Sequence, residues 1–145
     1  MGHREFLKLL DESAIVDTIR SAERMTSGEI RIFVSRKKPP RDGVYSAALR
    51  QFRKLGMQHT AEHNGVLLYL APRTREMAIA ADEGIHAKCG AVAWRRILAT
   101  LKPGLSGNDP TGAICQAVRD IAAVLAKPFP HRPGDRNELP DSLSE

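Results

Sequence analysis

The sequence predicts a single-domain α/β/α sandwich, in which a small mixed β-sheet carries helices on both faces. Helix-like and strand-like hydrophobic patterns alternate along the 145 residues. One continuous apolar run, residues 66–71, is typical of a strand that is covered on both faces. A chain of this length builds one compact domain and is too short for two ordinary ones.

The first helix and the first strand follow from a change of hydrophobic period. Asp11 is a good N-cap for a helix that ends at the polar break of residues 26–28. From Glu29 apolar and polar residues alternate, so residues 29–34 are predicted to form the first strand.

The middle of the chain predicts a βαβ unit followed by an antiparallel hairpin strand. Helical spacing covers residues 44–55, and Gly56 is placed to end that helix in a left-handed cap. The apolar run 66–71 is then the central strand. The turn 72–75 leads back into a third strand over residues 76–81.

Two further helices complete the predicted domain. The first covers residues 92–101 and ends before Pro103 and Gly104. The second begins at the cap Asp109 with Pro110 at its first position. Its predicted buried face consists of Ile114, Val118, Ile121 and Leu125. We expect the domain to span residues 1–130 and residues 131–145 to form a flexible polar tail.

Composition places the chain among ordinary globular proteins. A hydrophobic fraction of 42% with 27% charged residues excludes fibrous and fully disordered classes. No apolar run approaches the roughly 20 residues that cross a bilayer, and the amino terminus has no signal-peptide core. We therefore expect a cytoplasmic monomer without a membrane span. Cys89 and Cys115 form no disulfide or metal motif, and Cys89 precedes a predicted helix start.

A basic loop is the main feature of the charge distribution. The formal net charge is +5, and residues 36–41 form its densest positive cluster, with Arg36, Lys37, Lys38 and Arg41. Such a cluster is either a solvated loop or a surface for a protein or other anionic partner. The chain has one Trp, two Tyr and four Phe, and this scarcity of stacking aromatics argues against nucleic acid.

The motifs together resemble the TPM domain, the family named for thylakoid-lumen, photosystem II repair and acetylcholine-receptor-modulator proteins. The similarity covers about residues 6–130. It is carried by Thr26-Ser27-Gly28-Glu29, Asn64-Gly65-Val66-Leu67, Arg75, Asp82 with Gly84-Ile85, Trp94 and Phe129-Pro130. The chain looks most like the short, free-standing bacterial branch. The resemblance implies an α/β sandwich, and exported relatives are linked to acid phosphatase activity and divalent-metal binding.

The loops around the central strand supply a candidate site. Asp82, Glu83 and the Asn64 side-chain oxygen are hard donors suited to Ca²⁺ or Mg²⁺, and Arg75 or Arg73 could hold a phosphate oxygen. That combination would suit metal-assisted phosphoester hydrolysis. Turn chemistry is the alternative, in which Asn64 sets a turn and Asp82 caps the turn at Gly84.

A second constellation matches the H-x-x-E-H string of zinc peptidases, with His59, Glu62 and His63. Gly56 before it and Asn64 with Gly65 after it leave little room for the helix that such a site needs. The sequence thus gives a fold signature without a complete catalytic set. It favours a non-enzymatic binding or accessory module, with a divalent-metal-dependent phosphatase as the alternative and nucleic-acid binding as a remote one.

Overall fold

Short helices and strands alternate in the computed structural model, which describes residues 2–131 and the pair Leu143–Ser144. The helices are α1 (His3–Lys8), α2 (Glu12–Glu23), α3 (Val44–Lys54), α4 (Glu83–Cys89), α5 (Val92–Leu105) and α6 (Pro110–Ala126). The strands are β1 (Glu29–Val34), β2 (Gly65–Ala71), β3 (Glu76–Ala81) and β4 (Leu143–Ser144), and a 3₁₀ turn covers Met57–His59.

The strands form one mixed sheet in the order β3-β2-β1-β4. β1 and β2 are parallel, with Glu29 opposite Gly65 and Val34 opposite Leu70. β2 and β3 are antiparallel, and all seven residues of β2 are buried. The two residues of β4 extend the sheet beside β1 in parallel. The predicted mixed sheet, with its βαβ unit and hairpin strand, is confirmed.

Helices cover both faces of this sheet. On one face the side chains of Ile30, Ile32 and Val34 belong to a core shared with α2, α5 and α6. On the other face α3 packs through Phe52 against a smaller core that includes Leu67. The predicted α/β/α sandwich is therefore the fold of this chain.

Capping residues fix the helix boundaries as the sequence predicts. The Asp11 carboxylate accepts a hydrogen bond from the backbone N–H of Ala14 at 3.1 Å, and α2 follows it. Asp109 accepts from Gly112 N–H at 2.9 Å at the start of α6. Gly56 adopts a left-handed φ of 73° after α3, a conformation that costs a glycine little.

The structure corrects the prediction for residues 92–104. α5 continues through Pro103 and Gly104 to Leu105, although the sequence predicted an end before the proline. Pro103 lies in the last turn, where its missing N–H costs a single hydrogen bond. Gly104 packs against Ala113 so closely that a Cβ at Gly104 would lie 2.6 Å from the Ala113 Cβ. The packing of α5 against α6 therefore outweighs the tendency of Pro103 and Gly104 to end a helix.

Two short helices, α1 and α4, were not predicted. As a result Cys89 is the last residue of α4, and it lies three residues before α5 begins at Val92. Within the described part of the chain no helix is both long and apolar enough to cross a membrane. The predicted tail lies outside the described residues, apart from His131 and β4, so its flexibility stays a prediction.

Candidate functional site

Three loops meet at the edge of the sheet where β1 and β2 begin and β3 ends. We call it the motif edge, made of residues 26–29, 62–65 and 82–84. Glu29 N–H donates to the Asn64 carbonyl at 3.2 Å, and Asp82 N–H donates to the Gly65 carbonyl at 3.0 Å. These backbone hydrogen bonds bring together residues that are far apart in sequence.

A side-chain network crosses the motif edge. Ser27 Oγ donates to Glu62 Oε2 at 2.8 Å, and Asn64 Nδ2 lies 3.4 Å from the same oxygen and 3.3 Å from Ser27 Oγ. Asn64 is almost fully buried. Its amide therefore acts as a hydrogen-bond donor that holds two loops together. The sequence placed Glu62 only in the H-x-x-E-H string and Ser27 only in a family motif, because the contact between them depends on tertiary structure.

The two carboxylate oxygens of Asp82 have different surroundings. Its Oδ1 accepts a hydrogen bond from Glu83 N–H at 2.8 Å at the start of α4. This is the capping role that the turn-chemistry alternative predicted. Its Oδ2 is buried without a hydrogen-bond partner and lies 3.7 Å from His63 Nδ1. The residue is only 8% exposed, whereas the His63 side chain is 61% exposed. A protonated His63 would attract this carboxylate.

The donors predicted for a metal ion share the motif edge but do not form a coordination set. Asn64 uses its amide within the loop network, and Glu83 is exposed. Among the described residues there is no group of three or more His, Cys, Asp or Glu side chains that could hold a metal ion. Ca²⁺ takes roughly six to eight oxygen ligands and Mg²⁺ about six, so backbone oxygens or water would have to supply most of the ligands of either ion here.

The H-x-x-E-H string does not form a helix. His59 closes the 3₁₀ turn, and His63 lies in the turn before β2 with a left-handed φ of 50°. The two histidines therefore do not share a helix face, and the zinc-peptidase arrangement is not reproduced.

The predicted phosphate ligands lie at the other end of the sheet. Arg73 and Arg75 belong to the turn between β2 and β3, whereas Asp82 follows the last residue of β3. The six residues of β3 separate them by about 20 Å at the usual rise per strand residue. The structure therefore does not bring Arg75 together with Asp82 and Asn64.

Basic side chains gather at the end where β1 and β2 finish. We call this the basic edge, made of residues 35–43 and 72–75. Its exposed cationic side chains are Arg36, Lys37, Lys38, Arg41, Arg73 and Arg75. In the part of the chain that the structure describes, none of them forms an ion pair.

Local hydrogen bonds hold the loop of the basic edge. Lys37 N–H donates to Ser35 Oγ at 3.2 Å, which fixes the turn after β1. Asp42 accepts two hydrogen bonds from the Arg50 guanidinium, at 2.7 and 3.2 Å. These bonds hold the pKa of Asp42 below its usual value. Since Arg50 neutralises Asp42, the loop keeps its positive charge.

A shifted pKa is also found at a thiol, away from both edges of the sheet. Burial raises the pKa of Cys89 above its usual value, with Lys88 opposing the shift. A raised pKa favours the neutral thiol, and Cys89 packs at the edge of the larger hydrophobic core.

Fold and site together define a class of protein: a three-layer α/β/α sandwich whose glycine-containing turns converge at the start of two parallel strands. A family model described as the TPM domain, and named TPM_phosphatase, matches residues 3–124. The chain belongs to the TPM domain family.

Solved structures of bacterial proteins share this fold. The BA42 protein of the psychrophile Bizionia argentinensis is 32% identical, with a TM-score of 0.83 over 92% of this chain and 90% of that one. An N-terminal domain from P. gingivalis is 18% identical, with a TM-score of 0.64 over 80% and 74% of the two chains. One from Corynebacterium glutamicum is 15% identical, with a TM-score of 0.54 over 92% and 76%. A search among curated proteins finds no match.

Proposed function

We propose that this TPM domain is a non-enzymatic binding module whose basic edge holds an acidic segment of a protein partner. The observation that carries the proposal is a set of six exposed cationic side chains at one end of the sheet, none of which forms an ion pair with another described residue. Ligands of open α/β sheets commonly bind outside the carboxyl ends of the strands, which is where this edge lies. In this proposal the domain acts as a cytoplasmic monomer.

The chemistry of these side chains suits recognition. Guanidinium and ammonium groups donate several hydrogen bonds each, and their charge steers an anionic partner toward the edge. The loop 36–41 contains no aromatic residue on which a base could stack, and this favours an acidic peptide over nucleic acid. Because the charges are exposed, salt should screen the interaction strongly.

Charge reversal tests the proposal. We expect Lys37→Glu with Lys38→Glu to weaken binding of a fluorescein-labelled octaglutamate peptide at least about tenfold at low salt, measured by anisotropy. Both side chains are exposed, so the thermal unfolding midpoint should stay close to that of the unmodified protein.

The matched control makes the same change in net charge at two positions outside the basic edge. Arg24→Glu with Arg119→Glu alters the net charge equally, but Arg24 lies just before the motif edge and Arg119 on the exposed side of α6. Peptide affinity should fall far less in this control. An equal loss in both variants would show that only net charge matters and would contradict the proposal. Tighter, steeply salt-dependent binding of a mixed-sequence oligonucleotide would favour nucleic acid instead.

A divalent-metal-dependent phosphatase is the second candidate, supported by the buried Asp82 Oδ2 without a hydrogen-bond partner and by the name of the matching family model. Its test is hydrolysis of p-nitrophenyl phosphate with and without Ca²⁺ or Mg²⁺. Asp82→Asn keeps an oxygen for the cap of α4 and removes the charge, so it should abolish a genuine activity. Activity that survives this substitution would exclude Asp82 from the reaction.

A further inference from the structure

A cavity of about 400 Å³ opens next to the basic edge, between α1, the turn from β2 to β3 and the end of α5. Its volume lies within the roughly 300–1,000 Å³ that small-molecule sites occupy. This cavity could not be predicted from the sequence, because one of its walls is the unpredicted helix α1.

The floor of the cavity is apolar. Phe6 from α1, Leu70 from β2, Met77 from β3 and Leu105 from α5 all line it. Leu9 also lines the cavity and is 52% exposed, so its side chain offers further apolar surface there. Such a lining offers hydrocarbon contact to a ligand without burying a polar group of the protein.

Two cationic side chains line the same cavity. Arg75 comes from the turn and Lys102 from α5, and both are exposed. Neither forms an ion pair with any residue that the structure describes. Glu76 and Ser106 also line the cavity and could limit how a ligand is oriented.

The backbone at Arg75 supports a functional reason for that side chain. Its φ of 55° lies in the left-handed region, which glycine adopts more readily. The turn itself is closed by Arg75 N–H donating to the Pro72 carbonyl at 3.3 Å, a bond that any residue could make. The backbone conformation alone would thus favour glycine at this position. Ligand binding would give a reason for an arginine here, because a guanidinium that lines an apolar cavity can bind an anion.

We propose that this cavity binds a small amphipathic anion, with its carboxylate or phosphate head between Arg75 and Lys102 and its hydrocarbon tail on the apolar floor. Arg75 belongs to both the basic edge and the cavity, but the proposal does not require peptide binding, because residues 36–41, which the peptide assay tests, do not line the cavity. Carboxylate and phosphate heads share the chemistry that a planar guanidinium recognises, and the experiment separates them.

The test is a two-dimensional amide NMR titration of the full chain with decanoate, decyl phosphate, decanol and inorganic phosphate, each below its micelle concentration where it has one. We expect saturable shifts around residues 6–9, 75–77 and 102–107 with decanoate or decyl phosphate. Decanol and inorganic phosphate should bind about tenfold more weakly or worse, since each lacks one half of the recognised ligand. The tighter of the two amphiphiles identifies the head group.

Variants test the assignment of the head group. Arg75→Gln and Lys102→Gln should each weaken binding about tenfold, as expected for loss of a charge-assisted contact. Arg24→Gln removes an equal charge outside the cavity and serves as the control. In the titration, the proposal is overturned if no probe gives saturable shifts, if the shifts spread over the whole surface, or if decanol binds as tightly as decanoate. Among the variants, it is overturned if both Arg75→Gln and Lys102→Gln bind the probes normally. The peptide assay reads a different loop, so the two proposals fail separately.

Discussion

The backbone N–H of Gly84 donates a hydrogen bond to the carbonyl oxygen of His63, with 3.1 Å between the two atoms. The contact joins the first turn of α4 to the loop that precedes β2. A Cβ at position 84 would lie 2.6 Å from that oxygen and 2.8 Å from the Glu62 carbonyl oxygen. The motif edge therefore requires a glycine here because two backbone segments pass too close for a side chain.

Gly84→Ala should destabilise the domain by about 1–3 kcal/mol, the usual cost of overpacking. The clashing atoms are backbone oxygens, so the loop before β2 would have to move as a unit. Urea unfolding followed by circular dichroism measures the change.

Gly107→Ala is the control for this substitution, since a Cβ there would meet its nearest atom at an ordinary 3.5 Å. We expect little change or a slight gain in stability for that variant. Equal stability of the two variants would mean that the loop before β2 yields easily and that the motif edge is not rigid.

The sheet and the long helices could be predicted because their signals are local and repeated. β2 is a continuous apolar run, and α6 has a cap, a proline at its first position and four apolar residues at helical spacing. The predicted bounds of β2 and α6 therefore agree with the structure to within a residue or two, whereas α5 runs past its predicted end. α1 and α4 have six and seven residues and bury one side chain each, Phe6 and Ile85. A single buried residue has no period, so a hydrophobic pattern could not reveal these helices.

The candidate site could be predicted only in part. The sequence grouped Asn64 with Asp82, and the structure places both at the motif edge, because turn residues beside strands are visible as motifs. It also grouped Arg75 with them, although the hairpin places that residue at the opposite end of β3. The bond between Ser27 and Glu62 and the cavity against α1 depend on the packing of distant segments, and no local pattern contains that information.

From the ion pair between Asp42 and Arg50 we predict a pH effect that is confined to the basic edge. Because Arg50 holds the pKa of Asp42 below its usual value, Arg50→Gln should raise that pKa toward the ordinary value of about 3.9. Side-chain carboxyl ¹³C shifts recorded between about pH 2 and pH 6 measure it.

The lowered pKa of Asp42 also makes the stability of the folded domain depend on pH. A carboxyl with a depressed pKa in the folded state adds stability above its unfolded pKa and loses it as pH falls through the folded pKa. The unmodified protein should lose this contribution in acid, and Arg50→Gln should lack it at every pH. Arg53→Gln removes the same charge from the same helix, and an Asp42 titration altered equally by it would rule out the specific pairing.

Arg75→Gly should separate stability from ligand binding. Glycine adopts the φ of 55° without the steric cost that a Cβ imposes, roughly 1–2 kcal/mol. Its greater freedom in the unfolded chain offsets about 0.5–1 kcal/mol of this gain. We expect a net stabilisation of up to about 1.5 kcal/mol in chemical unfolding, together with about tenfold weaker decanoate binding. Arg73→Gly, in the same turn but without a positive φ, should lower stability instead. If Arg75→Gly were less stable than the unmodified protein, the arginine side chain would be stabilising the turn itself, and the argument that it is kept for a ligand would lose its support.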